Sequence, residues 1–408
     1  MRAVSSRVGS DVVVVGGGVI GLAAAWRTAT SGRRVTVVDP RPGGGATWAA
    51  AGMLAPVGEA HYGEERLSAL LVRGARAWPG FAADLEEAAD MEIGYRAEGT
   101  LLVAVDPSDR AAVDELLEYR RLLGLTATTL SSADCRSAEP LLAPGVRGGA
   151  DLVDDHQVDN RRLVAALLEA TRREGVVMVA GRATAVDGDD VRVRGVTLEG
   201  GDQLWAESVV VAAGCWSGQL DGWPRFARPP VRPVRGLTLR LRSGRQTGTL
   251  RRPVRGLVHG RTCYLVPRAD GSLVVGATVE ERGFDLTVEA GSVGDLLNDA
   301  RRLVPSVEAY ELCETSTGLR PGTPDNAPLV GTAGVDGLVV ATGHYRNGIL
   351  LAPSTAEEVV RLLDGQGRTG ADRTSPFAHF RPDRFGNQGA GPPDTALLTT
   401  ARRRAASP

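Results

Sequence analysis

The sequence predicts an α/β fold in which a parallel-sheet domain, assembled from separate stretches of chain, carries an inserted antiparallel-sheet α+β domain. Three observations predict it. A strand, a glycine turn and a helix stand at residues 11–30. A second strand–glycine turn–helix unit stands at residues 338–363, near the other end. Between them, short β-rich runs separated by turn residues fill residues 192–279.

The first unit reads Asp11-Val12-Val13-Val14-Val15-Gly16-Gly17-Gly18-Val19-Ile20-Gly21. Four consecutive valines suit a strand buried on both faces of a parallel sheet. Val19 to about Thr30 is the following helix, and Arg34 to Val38 is a second strand that ends on Asp39. An acid about 20 residues beyond GxGxxG is where a Rossmann unit binds the ribose of an adenine dinucleotide. Gly16 permits the tight turn, Gly18 lets the backbone approach a pyrophosphate, and Gly21 lets helix and strand pack closely. The diphosphate would sit on the helix N-terminus, where free N–H groups favour an anion. Glycine-rich turns also arise from packing alone. The strand, the helix and the acid together favour the ligand.

Residues 43–54 are small, rich in Gly and Ala, and bear one hydroxyl, Thr47. They suit a backbone passing close to a large flat ligand, with a flexible loop as the alternative. Helical spacing covers about Glu64 to Asp90, Asp109 to Leu123, Asn160 to Gly175 and Val288 to Leu303. Strands are expected at Thr100 to Val105, Val176 to Val179 and Ala183 to Val186, with a hairpin of Arg192 to Leu198 and Gln203 to Trp205. A separate buried strand at Ser208 to Val211 runs into Ala212-Ala213-Gly214, making Gly214 a second close-approach point. Arg232 to Arg242, Cys263 to Val266 and Leu273 to Val279 read as antiparallel strands, with Pro267 to Gly271 as a turn. Leu338 to Ala341 is a buried strand that leads through Gly343 to a helix from Ile349 to Leu363.

Composition narrows the function. A net charge of −2 argues against nucleic acid or an anionic membrane as the main partner. The longest apolar stretch, Val12 to Trp26, is accounted for by the glycine turn, so no transmembrane helix is expected. The first ten residues do not read as a secretory signal. Cys135, Cys215, Cys263 and Cys313 are scattered and expected to be buried structural thiols, and the five histidines lack ligand spacing, so no metal is expected. All 47 basic residues are arginine. Without lysine, neither a Walker lysine nor a pyridoxal Schiff base is available, so amine chemistry here needs another electron sink.

Cofactor-type segments near residues 16, 47, 214 and 346 draw the ligand domain from the whole chain, whereas nicotinamide dehydrogenases usually keep a contiguous block. With Ala49-Ala50-Ala51-Gly52-Met53-Leu54, Cys263-Tyr264-Leu265-Val266-Pro267-Arg268, Gly318-Leu319-Arg320-Pro321-Gly322-Thr323 and Gly343-His344-Tyr345-Arg346-Asn347-Gly348-Ile349-Leu350 in hand, the chain resembles the D-amino-acid oxidase superfamily of flavoproteins over about residues 8–385. Within it, the last motif resembles the glycine oxidases of thiamine biosynthesis.

The resemblance implies noncovalent FAD as cofactor, in a Rossmann-like FAD-binding domain of residues 8–75, 150–217 and 310–365. The substrate domain would comprise 76–149 and 218–309, with a disordered tail at 386–408. It places Gly16, Gly18, Val19, Ile20, Gly21, Asp39, Thr47 and the Ala51-Gly52-Met53 turn on the FAD, with Ala183 at the adenine. His344, Tyr345, Arg346, Asn347, Gly348, Ile349 and Leu350 would wrap the flavin ring. Tyr264, Arg320 and Arg346 would line the substrate site. Physical chemistry agrees for Arg320 and Arg346, since a planar guanidinium matches a carboxylate fork; a surface ion pair is the alternative for each. Departures from the family are Asp39 in place of glutamate, and Thr262 and Val279 in place of histidine and methionine near the pocket. Cys313 falls a few residues before the position expected for a covalent flavin link.

The activity implied is oxidation of glycine, and of sarcosine or small D-amino acids, by oxygen, giving imine and peroxide, with the glycine imine feeding the thiazole of thiamine. The alternatives are a D-amino-acid dehydrogenase with a quinone or protein acceptor, a non-catalytic flavin subunit, and a nicotinamide dehydrogenase. The expected setting is cytoplasmic, as a homo-oligomer that a family likeness would make a tetramer.

Overall fold

The computed structural model describes residues 9–223, 228–244, 248–365 and 374–385. The expected tail beyond Phe385 lies outside the described residues.

The first sheet carries the strand order Leu329–Thr332, Leu338–Thr342, Gln203–Val211, Ser10–Val15, Val35–Val38, Val177–Val179. All neighbours are parallel except the first pair. The valine run is central because each of its faces meets a different core. Val12 and Val14 pack with helices Val19–Thr30, Glu65–Ala89, Asn160–Arg173 and Gly348–Leu363. Val13 and Val15 face the hairpin of Ala183–Gly188 and Val193–Leu198. A strand with no solvent face needs no alternation.

The hairpin strand and the buried strand expected separately near residues 203–211 are one, Gln203–Val211. Its first six residues alternate in burial beside the hairpin, and its last three are fully buried in the parallel sheet. The change of pattern marks a change of environment, not a break in the strand.

The second sheet runs Glu311–Gly322, Arg232–Arg242, Ser272–Gly276, Arg261–Pro267, Val254–Val258, Thr100–Ala104, Gly149–Leu152, Thr128–Leu130. It is antiparallel but for one parallel pair, Val254–Val258 on Thr100–Ala104. One face is apolar: Leu237, Leu239, Leu241, Cys263, Leu265, Leu273 and Val275 pack on Leu296, Ala300 and Leu303 of helix Ala290–Leu303. The alternate residues, Gly236, Thr238, Arg240, Tyr264, Gly276, Gly318 and Arg320, share the other face, as period-two geometry and the strand register require.

Arg320 therefore lies within a 12-residue strand, Glu311–Gly322, that was not among the expected strands. Polar and small residues on its functional face erased the hydrophobic alternation that would have marked a strand. Cys135, Cys215 and Cys263 are buried, but Cys313 is exposed, correcting the expectation of four buried thiols. Cys313 sits where the register between Glu311–Gly322 and Arg232–Arg242 shifts, so strand alternation did not carry it inward.

Candidate flavin and substrate site

The glycine turn separates what the fold requires from what a ligand would require. Gly16 adopts φ +108°, and a Cβ there would enter the Ala212 carbonyl. A Cβ on Gly21 would enter the Gly16 carbonyl. Gly18 is different: its Cβ would meet only Thr47 Oγ1, at 3.5 Å. The protein alone gives Gly18 no reason to be glycine, whereas a phosphate approaching the backbone does. Around it, Gly17 N–H donates to Asp39 Oδ2 at 2.7 Å and Val19 N–H donates to Thr47 Oγ1 at 3.1 Å. Asp39 also accepts from Arg41 N–H at 2.7 Å. Thr47 thus serves the start of helix Val19–Thr30 from a distant segment, since Gly18 has no capping side chain. Ile20 is buried in the first turn of that helix.

The other predicted positions gather on the C-terminal side of the parallel sheet. Gly214, at φ +57°, follows strand Gln203–Val211, and its carbonyl accepts from Thr342 Oγ1 at 3.0 Å. Ala183 opens the hairpin, half-buried and paired with Leu198. Gly343 (φ +73°) and Tyr345 (φ +48°) turn the chain from strand Leu338–Thr342 into helix Gly348–Leu363. Tyr345 N–H is held by Pro321 O at 3.0 Å. His344 is buried against Thr355 Oγ1 at 3.0 Å, and burial pushes its imidazole down to about 3. Asn347 supplies no side-chain cap to helix Gly348–Leu363, whose positive end begins with the N–H groups of Gly348, Ile349 and Leu350.

On the functional face of the second sheet, Tyr264 and Arg320 lie over glycines. A Cβ at Gly236 would occupy the Arg320 guanidinium, and a Cβ at Gly276 would enter the Tyr264 ring. Tyr264 packs beside Ala51 and Met53 in a small apolar cluster with Val266 and Val274. Burial pushes its phenol above the ordinary tyrosine value. Arg320 Nη1 donates to Thr278 O at 3.0 Å and Arg235 O at 3.4 Å. Among the described residues no carboxylate lies within ion-pair distance of Arg320. The surface-ion-pair alternative therefore lacks its partner.

Arg346 has the opposite surroundings. Its Nη2 is 2.7 Å from Glu59 Oε2 and 2.8 Å from His61 Nε2. Glu59 also meets Arg255 Nη1 at 2.5 Å. Burial pushes Glu59 upward, but the two guanidinium charges outweigh it and hold the carboxyl well below its ordinary range. Thr262 shares the Tyr264 face two residues earlier and is exposed, as is Val279.

Sequence reasoning missed four contributors. Glu59 was hidden in a stretch without periodicity. Thr238 holds Ala49 O at 2.8 Å, Asn160 holds the carbonyls of Thr47 and Trp48, and Arg268 holds that of Ala51. Each lies more than 100 residues from its partner, so no local pattern signals it. Segment 45–49, expected only as a close-passing backbone, is a short helix. Tertiary contact also brings ligand atoms of Asp106, Asp109 and His259 within 4.8 Å of one another, although the histidine spacing gave no such sign. Asp109 there accepts from His259 N–H and Gly260 N–H, and Asp106 caps helix Pro107–Leu122.

Comparisons with known proteins identify the family. The chain is 34% identical over 387 residues to a bifunctional protein ThiO/ThiG of Trichormus variabilis, covering 94% of this chain and 56% of that protein. It thus spans little more than half the length of that relative. It is 29% identical over 411 residues to hydrogen cyanide synthase subunit HcnC of Pseudomonas aeruginosa, covering 91% of this chain and 97% of that one. The crystal structure of glycine oxidase from Geobacillus kaustophilus superposes with a TM-score of 0.82 at 30% identity, covering 94% of this chain and 99% of that one. The FAD dependent oxidoreductase family model matches residues 11–362. The glycine turn, whose Gly18 would tolerate a Cβ without a clash, and the match across most of the chain lead to one conclusion: this protein belongs to the family of FAD dependent oxidoreductases.

Proposed function

We propose that the protein is a glycine oxidase: it oxidises glycine, and sarcosine or small D-amino acids, with oxygen as electron acceptor. The observation that carries this is Arg320. It is a half-buried guanidinium without a carboxylate partner among the described residues, set beside Tyr264 on the face that meets the Ala51–Met53 turn. Glycine offers little but its carboxylate to hold, and Arg320 can hold it by a paired fork. The name borne by the Geobacillus relative supports the same reading.

The Gly16–Gly21 turn and the Ala51–Met53 turn would hold the FAD, which would supply an acceptor for the hydride on the substrate Cα. The protein's part is positioning, which can supply roughly 7–11 kcal/mol of the barrier without an acid or base. Arg320 and the Tyr264 hydroxyl anchor the carboxylate, and the apolar cluster around Met53 and Val266 excludes water. The amine binds neutral and leaves as the imine. Water converts the imine to glyoxylate and ammonia, and oxygen takes up the two electrons and two protons as hydrogen peroxide. Supply of the imine to thiazole synthesis is the role we infer.

The same reading holds the FAD noncovalently. Cys313, the thiol nearest to a covalent position, lies seven residues before Arg320, roughly 20 Å along a strand. It divides the chain into a FAD-binding domain of residues 8–75, 150–217 and 310–365 and a substrate domain of 76–149 and 218–309. It makes the protein a cytoplasmic homo-oligomer, a tetramer by family likeness. No helix among the described residues is long and apolar enough to cross a membrane.

The test is a peroxide assay with glycine, sarcosine and several D-amino acids, paired with anaerobic reduction followed by air. Glycine should bleach the flavin and air should restore it with peroxide release. Bleaching without recovery in air would mean a dehydrogenase with another acceptor. No bleaching by any amino acid would remove the reading altogether.

A further inference from the structure

We propose that Arg268 and Asn160 are positioning residues for the flavin, acting through the backbone of residues 47–52. Both side chains are buried, and both donate to carbonyls of that backbone. Asn160 Nδ2 donates to Thr47 O at 2.8 Å and Trp48 O at 3.0 Å. Its Oδ1 accepts from Arg240 Nη2 at 3.1 Å and Arg268 Nη2 at 3.4 Å. With two carbonyls on one side and two guanidinium groups on the other, only one amide orientation satisfies the network. Arg268 Nη2 donates to Ala51 O at 2.5 Å, and Nη1 to Gln157 Oε1 at 3.0 Å. Thr238 Oγ1 takes Ala49 O.

Four carbonyls of one short segment are thus drawn to the protein side by groups from helix Asn160–Arg173, strand Arg232–Arg242 and the turn after strand Arg261–Pro267. The N–H groups of Ala51 and Gly52 have no acceptor among the described residues, although both residues are buried. Buried N–H groups normally find partners, and two adjacent free donors suit a bound acceptor. Gly52, at φ +73°, lets the chain turn there, and its carbonyl accepts from Val158 N–H at 2.9 Å. Arg268 carries a second property. Its nearest carboxylate oxygen, on Asp159, is 3.7 Å from Nε, and that Nε has no hydrogen-bond partner among the described residues. A cation so weakly paired is costly to bury, so its contact with Ala51 O serves more than local packing.

The inference rests on the reading that the Ala51–Met53 turn meets the flavin. Its test uses Arg268→Met and Asn160→Asp. The aspartate keeps both arginine contacts but faces the carbonyls of Thr47 and Trp48 with an acceptor. FAD is titrated into apoprotein, and the midpoint potential of the bound flavin is measured alongside apoprotein stability. The FAD Kd should rise tenfold or more in both variants. The potential should become more negative, because donors aimed at the ring favour the added electrons. The Asn160→Asp apoprotein should be less stable than the parent but still fold, because the two arginine contacts remain. If Arg268→Met does not fold, Asn160→Asp decides alone. Parent-like FAD affinity and potential in the folded variants overturn the brace. Gly18→Val separates this from failure of the reading beneath it. Flavin-free Gly18→Val beside parent-like brace variants overturns the brace alone. Flavin-loaded Gly18→Val overturns the placement of the cofactor.

Discussion

Arg346 Nη2 lies 2.7 Å from one oxygen of the Glu59 carboxylate, whose other oxygen lies 2.5 Å from Arg255 Nη1. One acid therefore joins the loop before helix Gly348–Leu363 to strand Val254–Val258 of the second sheet. Arg346 is already paired in this arrangement, whereas no carboxylate among the described residues lies within ion-pair distance of Arg320. The contrast predicts that the two arginines divide anchoring from architecture.

Glu59→Gln should cost about 1–3 kcal/mol of stability at neutral pH, because it unpairs Arg255, which is buried, and Arg346, which is partly exposed. The pH dependence has a definite sign. The folded-state value of Glu59 is depressed, so its contribution is present above the ordinary value of 4.5 and lost as pH falls through the lowered one. Urea unfolding should show the parent losing stability in acid and the Glu59→Gln difference shrinking there. A difference that stays constant from neutral pH into acid would dissociate Glu59 from the two arginines.

Arg320→Ala should leave folding and flavin content nearly intact while raising the KM for glycine about tenfold or more, since a charge-assisted hydrogen bond is worth about 1.5–3 kcal/mol. The rate of flavin bleaching should fall too, because the Cα–H loses its orientation. Arg320→Lys should recover only part, as an ammonium cannot form the paired contact. Unchanged glycine kinetics in a well-folded Arg320→Ala protein would pass the carboxylate to Arg346.

Gly236→Ala is expected to mimic loss of Arg320 without touching it. The added methyl would stand where the guanidinium lies, and the side chain must move. Glycine KM should rise several-fold with FAD content unchanged. Parent-like kinetics would mean that Arg320 works from a different position.

His344 predicts a second acid sensitivity. An unfolded histidine takes a proton near 6.5, while burial keeps the folded one neutral down to about 3. Its contribution is therefore complete above 6.5 and declines below it by about 1.4 kcal/mol per pH unit. Between neutrality and roughly pH 5 the parent should lose about 2 kcal/mol more than His344→Gln, which cannot titrate. Equal losses in denaturant unfolding of the two apoproteins would show that His344 is protonated in the fold.

Gly18 and Gly21 should separate cleanly. Gly21→Ala drives a methyl into the Gly16 carbonyl and should destabilise the fold itself. Gly18→Ala meets only Thr47 Oγ1 at 3.5 Å, so it should weaken FAD binding in a protein that unfolds like the parent. Equal loss of stability in the two variants would mean that Gly18 is there for packing.

What the sequence determined by itself follows from its short-range patterns. The valine run, Gly16 and Gly21 specify a strand–turn–helix unit because their requirements are met by neighbours in the chain or by the nearest sheet strand. Motifs around Tyr264, Arg320 and Arg346 identified the residues of the candidate site by type. The tertiary structure alone decided their surroundings. It put Arg320 in a strand over Gly236 without an acid beside it, and put Arg346 against Glu59 across 287 residues of chain. It also aimed Asn160 and Arg268 at three backbone carbonyls that no periodicity links to them. The physical reason is range. Backbone propensity and burial period act over a few residues, whereas charge pairing and hydrogen bonding act on whichever groups the packed sheets bring within about 3 Å.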